Sequence, residues 1–324
     1  VKILIVLPNW LGDAVMATPA IELLSHYYPG ARFTFIGSYV SIAALKHHPL
    51  CEKAIVDETK KAPSRLFATY RLAKELGSFD LAITFRNQLH SSLLLRFTGT
   101  VMTLAKQSWH SQLLLSHTPK ISSKQHLVKQ YTDLAMVNSD AFNGDIPALK
   151  LYVTPKKSNK PLLGINAGAT YGSAKRWYPD KFAAVGAAFH NKYDILLFGG
   201  PNETTISNEI AEHLESLGVT NYTNLAGKTS IEELCTNIAS CSLFVTNDSG
   251  PMHVAAAYQV PTVAIFGPTK YKETSQWMNE KSVIVRHEME CSPCMKRECP
   301  LKHHECMKGI TADEVIAAIK SLNI

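Results

Sequence analysis

The chain's apolar opening, "VKILIVLP", runs into "NWLGDAVMATPAIELL", whose first acid is Asp13. It stands where a strand must turn and a helix begin. A carboxylate there can accept from the unpaired N–H groups of the first helical turn, a task Ser or Thr would perform as well. Aimed instead at a bound hydroxyl, the same group is a general base. Residue type alone leaves both open.

Other strand ends suit phosphate. "NAGATYGSAKRW" is small and flexible through Gly168 and Gly172, passes Thr170 and delivers Lys175 and Arg176. Such a loop lets backbone N–H groups approach a phosphate while a cation neutralises it. It matches neither GxxxxGK[ST] nor GxGxxG, so no generic nucleotide motif is read here, and an ordinary polar loop remains the alternative. In "FVTNDSGPMHVAAA" a strand ends at Asn247, Asp248-Ser249-Gly250 turn, and Pro251 opens a helix. The first turn of that helix is an anion site in waiting. A plain cap by Asp248 or Ser249 explains one residue but not Gly250 and His253 together. In "FGGPNE", Glu203 can accept from ribose hydroxyls or be a solvated loop acid. In "NLAGKTSIEEL", the backbone at Gly227 and Lys228 can border a base.

No Asp-x-Asp occurs, which disfavours a sugar-nucleotide site built on a divalent metal. A leaving diphosphate would then need Lys, Arg and a helix N-terminus. Of seven cysteines, four run as Cys291-x2-Cys294-x4-Cys299-x6-Cys306, with His287, His303 and His304 nearby. Structural zinc, reduced packing cysteines and disulfide or redox chemistry all stay open. Disulfides rank low because nothing marks the chain for export.

These residues need scaffolds. At 324 residues the chain suits two domains, and its composition is that of a folded globular protein. One strand series reads "KILIVLP", "ARFTFIG", "KAIVD", "LAITF", "TVMTLA", with helical stretches such as "AVMATPAIELLSHYY" between early members. The second reads "PLLGINAG", "DILLFGG", "YTNLAG", "LFVTND", "TVAIFG", "SVIVR". Continuous apolar strands alternating with helices predict parallel sheets covered on both faces. "VTPKKSNKP" reads as the linker, placing domains at 1–154 and 155–324. Thr311 and Glu314 fit a capping box for a last helix over about 311–324, which could pack back toward the first domain. The opening is too short for a signal-peptide core and no apolar run spans a bilayer, so the cytoplasm is the default compartment. Net charge is +6, yet Leu81 to Thr132 holds no Asp or Glu while containing Arg86, Arg96, Lys106, Lys120, Lys124 and Lys129. That is either a solvated basic face or a surface for a polyanion.

Taken together, "NWLGDAVMATPAIELL", "GATYGSAKRWYP", "NLAGKT" and "TNDSGPMHVAAA" followed by "IFGP" resemble the lipopolysaccharide heptosyltransferases of glycosyltransferase family 9, nearly end to end. The resemblance implies an α/β GT-B architecture, two Rossmann-like doubly wound domains facing across a cleft. It implies inverting, metal-independent transfer of L-glycero-D-manno-heptose from ADP-heptose, with no cofactor, to the first heptose of an anionic Kdo–lipid A core. Transfer to Kdo itself is the nearest alternative. The enzyme would be cytoplasmic and peripheral at the inner face of the inner membrane. The catalytic residues implied are Asp13 as base and Lys175 at the diphosphate. Thr170, Arg176, Glu203, Gly227, Lys228, Asp248, Ser249, Gly250 and His253 would serve the donor. Trp10, Arg86, Asn87 and His90 fall on the acceptor side by position. The cysteine segment departs from the family pattern, so its role stays open. Rival readings are a nucleotide-sugar epimerase and a basic nucleic-acid module. The second lacks stacking aromatics, since only Phe97 and Trp109 fall within 86–129, and no nucleic-acid partner is expected.

Overall fold

The computed structural model describes residues 1–139 and 142–324. The chain divides into two compact units, Val1–Tyr152 and Val153–Ile324. In the first, β1 (Lys2–Val6), β2 (Arg32–Gly37), β3 (Cys51–Val56), β4 (Leu81–Thr84) and β5 (Thr103–Ala105) form one parallel sheet in the order β3-β2-β1-β4-β5. Its helices are α1 (Leu11–Met16), α2 (Thr18–Tyr27), α3 (Tyr39–Leu45), α4 (Arg65–Leu76), α5 (Leu89–Thr98), α6 (Trp109–Leu114) and α7 (Leu127–Ala135). Central β1 is apolar throughout its buried length because helices cover both faces, whereas edge strand β3 is largely exposed.

The stretch expected as one helix after β1 is two. Pro19 at the start of α2 cannot donate to a preceding turn and its ring crowds the carbonyl four residues back, so the chain breaks at Ala17.

The second unit repeats the plan. β6 (Leu162–Asn166), β7 (Asp194–Phe198), β8 (Tyr222–Asn224), β9 (Leu243–Asn247), β10 (Thr262–Ile265) and β11 (Ser282–Val285) run in parallel as β11-β10-β9-β6-β7-β8. Its helices are α8 (Pro179–Phe189), α9 (Thr204–Ser216), α10 (Ile231–Ala239), α11 (Gly250–Ala257), α12 (Tyr271–Thr274), α13 (Glu305–Lys308) and α14 (Ala312–Ser321). Leu163, Ile165, Leu197, Val245 and Val263 from the sheet meet Trp177, Phe182 and Leu214 in its core. The last helix belongs here: Val315 and Ile319 of α14 join that core, and α14 packs on α8, β10 and β11. Its capping box is present, Thr311 Oγ1 accepting from the Glu314 N–H while the Glu314 carboxylate accepts from the Thr311 N–H.

The linker is pinned to the second unit, with Val153 N–H donating to the Tyr258 hydroxyl and Lys156 N–H to Ser240 Oγ. Among the described residues no helix is long and apolar enough to cross a membrane.

In each sheet the strand order reverses beside the first strand, between β1 and β4 and between β6 and β9. Loops leaving neighbouring strands in opposite directions open a crevice there, which is where doubly wound folds bind ligands.

Candidate active site

At the first switch point, β1 hands over to α1 through a loop fixed from the side. Ser38 Oγ, at the end of β2, donates to Asn9 O at 2.7 Å, and Ser41 Oγ donates to Pro8 O. Trp10 is the N-cap of α1, extended, 54% exposed and without a side-chain capping bond. Asp13 falls in the first turn, half-buried. Its charge reaches the buried Tyr131 hydroxyl, whose pKa is pushed up first by burial and then by Asp13.

Across the switch point, Arg86 follows β4. It is buried, and it ties strand ends together: Nε donates to Leu7 O at 2.5 Å and Nη1 to Asp57 Oδ2 at 2.9 Å. Burial pushes the Asp57 carboxyl up, but the Thr59 hydroxyl and N–H and the Arg86 cation outweigh it and leave it below the usual range. Arg86 is therefore first a strut, which position in the sequence did not reveal. Its Nη2 is buried without a protein partner among the described residues, as are Arg65 Nε, Gln88 Oε1 and His90 Nδ1. Burial, then the Arg65 charge, lowers the His90 pKa against the pull of Asp57. Asn87 is exposed. The acid-free stretch is not one basic face: Arg86, His110 and His126 are buried, while Arg96, Lys120, Lys124 and Lys129 are exposed.

At the second switch point the loops after β6 and β9 are laced together. Asn247 Nδ2 donates to Ala167 O at 2.6 Å and Oδ1 accepts from Trp177 N–H at 3.1 Å. Asn166 Nδ2 donates to Ser249 Oγ at 3.1 Å. Lys175 Nζ sits 2.5 Å from Asp248 Oδ2 and donates to Asp248 O at 3.2 Å. Thr269 Oγ1, after β10, donates to Asp248 Oδ2 at 2.6 Å. The pair is mostly buried, so the cation is held in one place rather than sampling solvent. Ser249, the N-cap of α11, makes no side-chain capping bond, and Pro251 opens the helix as expected. The positive end of α11 thus faces the crevice without a side-chain acceptor at its cap. His253 is buried in that helix.

Glu203 packs against the same loop. Its Oε2 accepts from Gly200 N–H at 2.8 Å, while Oε1 is buried without a protein partner among the described residues. A Cβ on Gly168 would lie 2.1 Å from that carboxylate, so only glycine leaves room for it. Arg176 is half-buried with its Nε unpartnered among the described residues, and Thr170, Gly227 and Lys228 are exposed. Lys228 Nζ donates to Asn224 O at 3.0 Å.

The structure thus gathers Lys175, Asp248, Ser249 and Gly250 at one switch point, and Trp10, Asp13 and Arg86 around the other. Sequence reasoning missed Asp57, Arg65, Asn166 and Thr269. Asp57 and Thr269 also stand just beyond strand ends, the signal that found the rest.

Two doubly wound parallel sheets, each with a crevice at the point where its strand order reverses, make up the GT-B architecture. The profile of glycosyltransferase family 9 (heptosyltransferase) matches residues 69–305, and the chain belongs to that family. It is 41% identical to lipooligosaccharide heptosyltransferase 2 of Campylobacter jejuni, covering 99% of this chain and 98% of that one. It is 28% identical to lipopolysaccharide heptosyltransferase 2 of Salmonella typhimurium, over 99% and 98% of the two chains. The solved structure of E. coli ADP-heptose LPS heptosyltransferase II superposes with a TM-score of 0.84 at 25% identity, covering 99% and 98%. A family 9 glycosyltransferase from Veillonella parvula shares the fold with a TM-score of 0.87 at 21% identity, over 99% and 96%.

Proposed function

We propose that the protein transfers L-glycero-D-manno-heptose from ADP-heptose to the first heptose of a Kdo–lipid A core, with inversion and no metal in the chemistry. End-to-end likeness to heptosyltransferases named for the second transfer supports this reading. The observation that carries it is Lys175, locked by Asp248 beside the N-terminus of α11.

The acceptor hydroxyl attacks the anomeric carbon as the bond to the diphosphate breaks. Asp13 takes the hydroxyl proton, and ADP leaves with the bonding electrons. The anomeric carbon turns oxocarbenium-like and charge builds on the diphosphate. Lys175, Arg176 and the first-turn N–H groups of α11 are the groups suited to receive that charge without reorganising. The unpartnered Oε1 of Glu203 suits a ribose hydroxyl. On the acceptor side, exposed Trp10 offers a face for a sugar. Arg65, Arg86 Nη2 and His90 offer donors to an acidic group.

A lipid-anchored acceptor calls for work at a membrane surface, with the enzyme peripheral at the cytoplasmic face. α6 suits it: Trp109 and Leu113, one turn apart, are 69% and 78% exposed, and Lys120 and Lys124 are exposed beyond it.

Asp13→Asn tests the base. It should retain ADP-heptose binding while transfer falls about 10²–10⁴-fold; near-normal turnover would remove Asp13 from the chemistry. Product mapping on defined truncated cores tests the acceptor, and heptose appearing on Kdo would overturn the second-transfer assignment.

A further inference from the structure

Residues 286–304, between β11 and α13, carry neither helix nor strand. Loops beyond about 12–15 residues without secondary structure are uncommon inside compact domains and need another source of order. This run holds three of the clustered cysteines, and the fourth, Cys306, lies in α13. All four thiols line one small cavity of about 20 Å³, together with Ala174, Pro268, Ser292, Pro300, Leu301, His303 and His304. That is room for one water-sized occupant or one ion. None of the four is in a disulfide.

Of the histidines on its wall, His304 is engaged at both ring nitrogens and His303 at one. His304 uses both ring nitrogens, Nδ1 with the Tyr178 hydroxyl at 3.1 Å and Nε2 with Ala174 O at 2.9 Å. His303 Nδ1 accepts from Glu305 N–H at 3.0 Å. The thiols remain. Cys299 Sγ accepts from His304 N–H at 3.4 Å, the kind of bond that steadies a thiolate. Lys296, Arg297 and Lys302 in the same run can offset the negative charge that four thiolates leave on a divalent ion.

We propose that Cys291, Cys294, Cys299 and Cys306 bind one thiophilic metal ion, zinc or iron, in a tetrahedral four-sulfur site that orders residues 286–306. Four thiolates select such ions. As placed, no three His, Cys, Asp or Glu among the described residues stand in metal-holding geometry, so binding closes the thiols onto the ion and completes the local fold.

The site takes no part in the chemistry, but it stands behind the donor loop. Arg297 O accepts from Ala174 N–H at 3.0 Å, and Met295 O accepts from the Tyr171 hydroxyl at 2.8 Å. A Cβ on Gly172 would lie 2.2 Å from Arg297 O. The loop that delivers Lys175 is thereby seated on the cysteine segment. The metal site stands independently of the proposed reaction; only its effect on ADP rests on that reading.

The test is elemental analysis of the full-length protein, purified without oxygen, its affinity tag removed, after dialysis against a mild chelator. About one zinc or iron per chain is expected, the element named by mass spectrometry and iron also by thiolate absorption in the visible. Cys294→Ser and Cys299→Ser should each lose more than tenfold of that metal, while Cys51→Ser, in β3, keeps it. Should the serine variants fail to fold, titrating wild-type protein with a mercurial reagent must release the metal as four thiols react. ADP affinity should then drop at least severalfold. Metal below a tenth of an ion per chain, with no uptake of added Zn²⁺ or Fe²⁺, would overturn the site, as would two disulfides among these cysteines. Metal bound but ADP affinity unchanged would overturn only the seating of the donor loop.

Discussion

Lys175 shows how one side chain acquires a partner that its neighbours in sequence do not announce. The motif "GSAKRW" is a cation on a flexible loop, and only the fold brings it to Asp248, three strands later in the chain. Charge-assisted hydrogen bonds contribute about 1.5–3 kcal/mol each, so Lys175→Ala should weaken ADP binding about 10- to 100-fold by calorimetry. Unchanged affinity would remove Lys175 from the diphosphate. Arg86 makes the opposite point. Its charge was legible, but its burial against Asp57 and Leu7 was not, because contacts between strand ends far apart in sequence leave no local pattern. Removing one partner of a buried pair costs about 3–5 kcal/mol, so Arg86→Leu should lower unfolding stability by that order in a denaturant titration. Asp57 titrates below its ordinary 3.8 in the folded state. Stability from the pair is therefore present above that pH and lost as pH falls further.

At the scale of elements, periodicity and turn chemistry carried most of the fold. Both strand series were visible because parallel strands covered on two faces are apolar without interruption, as in "KILIV" and "LFVTN". The break between α1 and α2 was missed because Pro19 was read as part of a helix rather than as its first turn. The capping box of α14 was legible from Thr311 and Glu314 alone, but its third member, His287, joins from another part of the chain, Nε2 to Glu314 Oε1 at 2.8 Å. The Thr311 N–H first, then His287, hold the Glu314 pKa at about 2, against 4.5 for a free Glu. A carboxyl lowered on folding stabilises above its unfolded pKa, and that contribution disappears between about pH 4.5 and 2. Glu314→Gln should flatten the acid limb of a stability–pH profile in that window. An unchanged limb would show the box to be energetically idle.

For the whole molecule, the proposed donor residues all fall in Val153–Ile324, a unit with its own sheet and core. Residues 153–324 produced alone should therefore bind ADP with near-native affinity while transferring no heptose; loss of ADP binding by a folded fragment would show that the first unit contributes to the nucleotide site. Two doubly wound units were readable from strand alternation. The cysteine segment was readable only as spacing, since what it braces lies more than a hundred residues upstream. Gly172 and Arg297 meet with no space for a side chain between them, which has a consequence for how such enzymes can diverge. A mutation adding bulk at 172 is viable only in a lineage that has already reshaped the distal segment. Hybrids spliced from two relatives between these positions inherit unmatched halves of one joint.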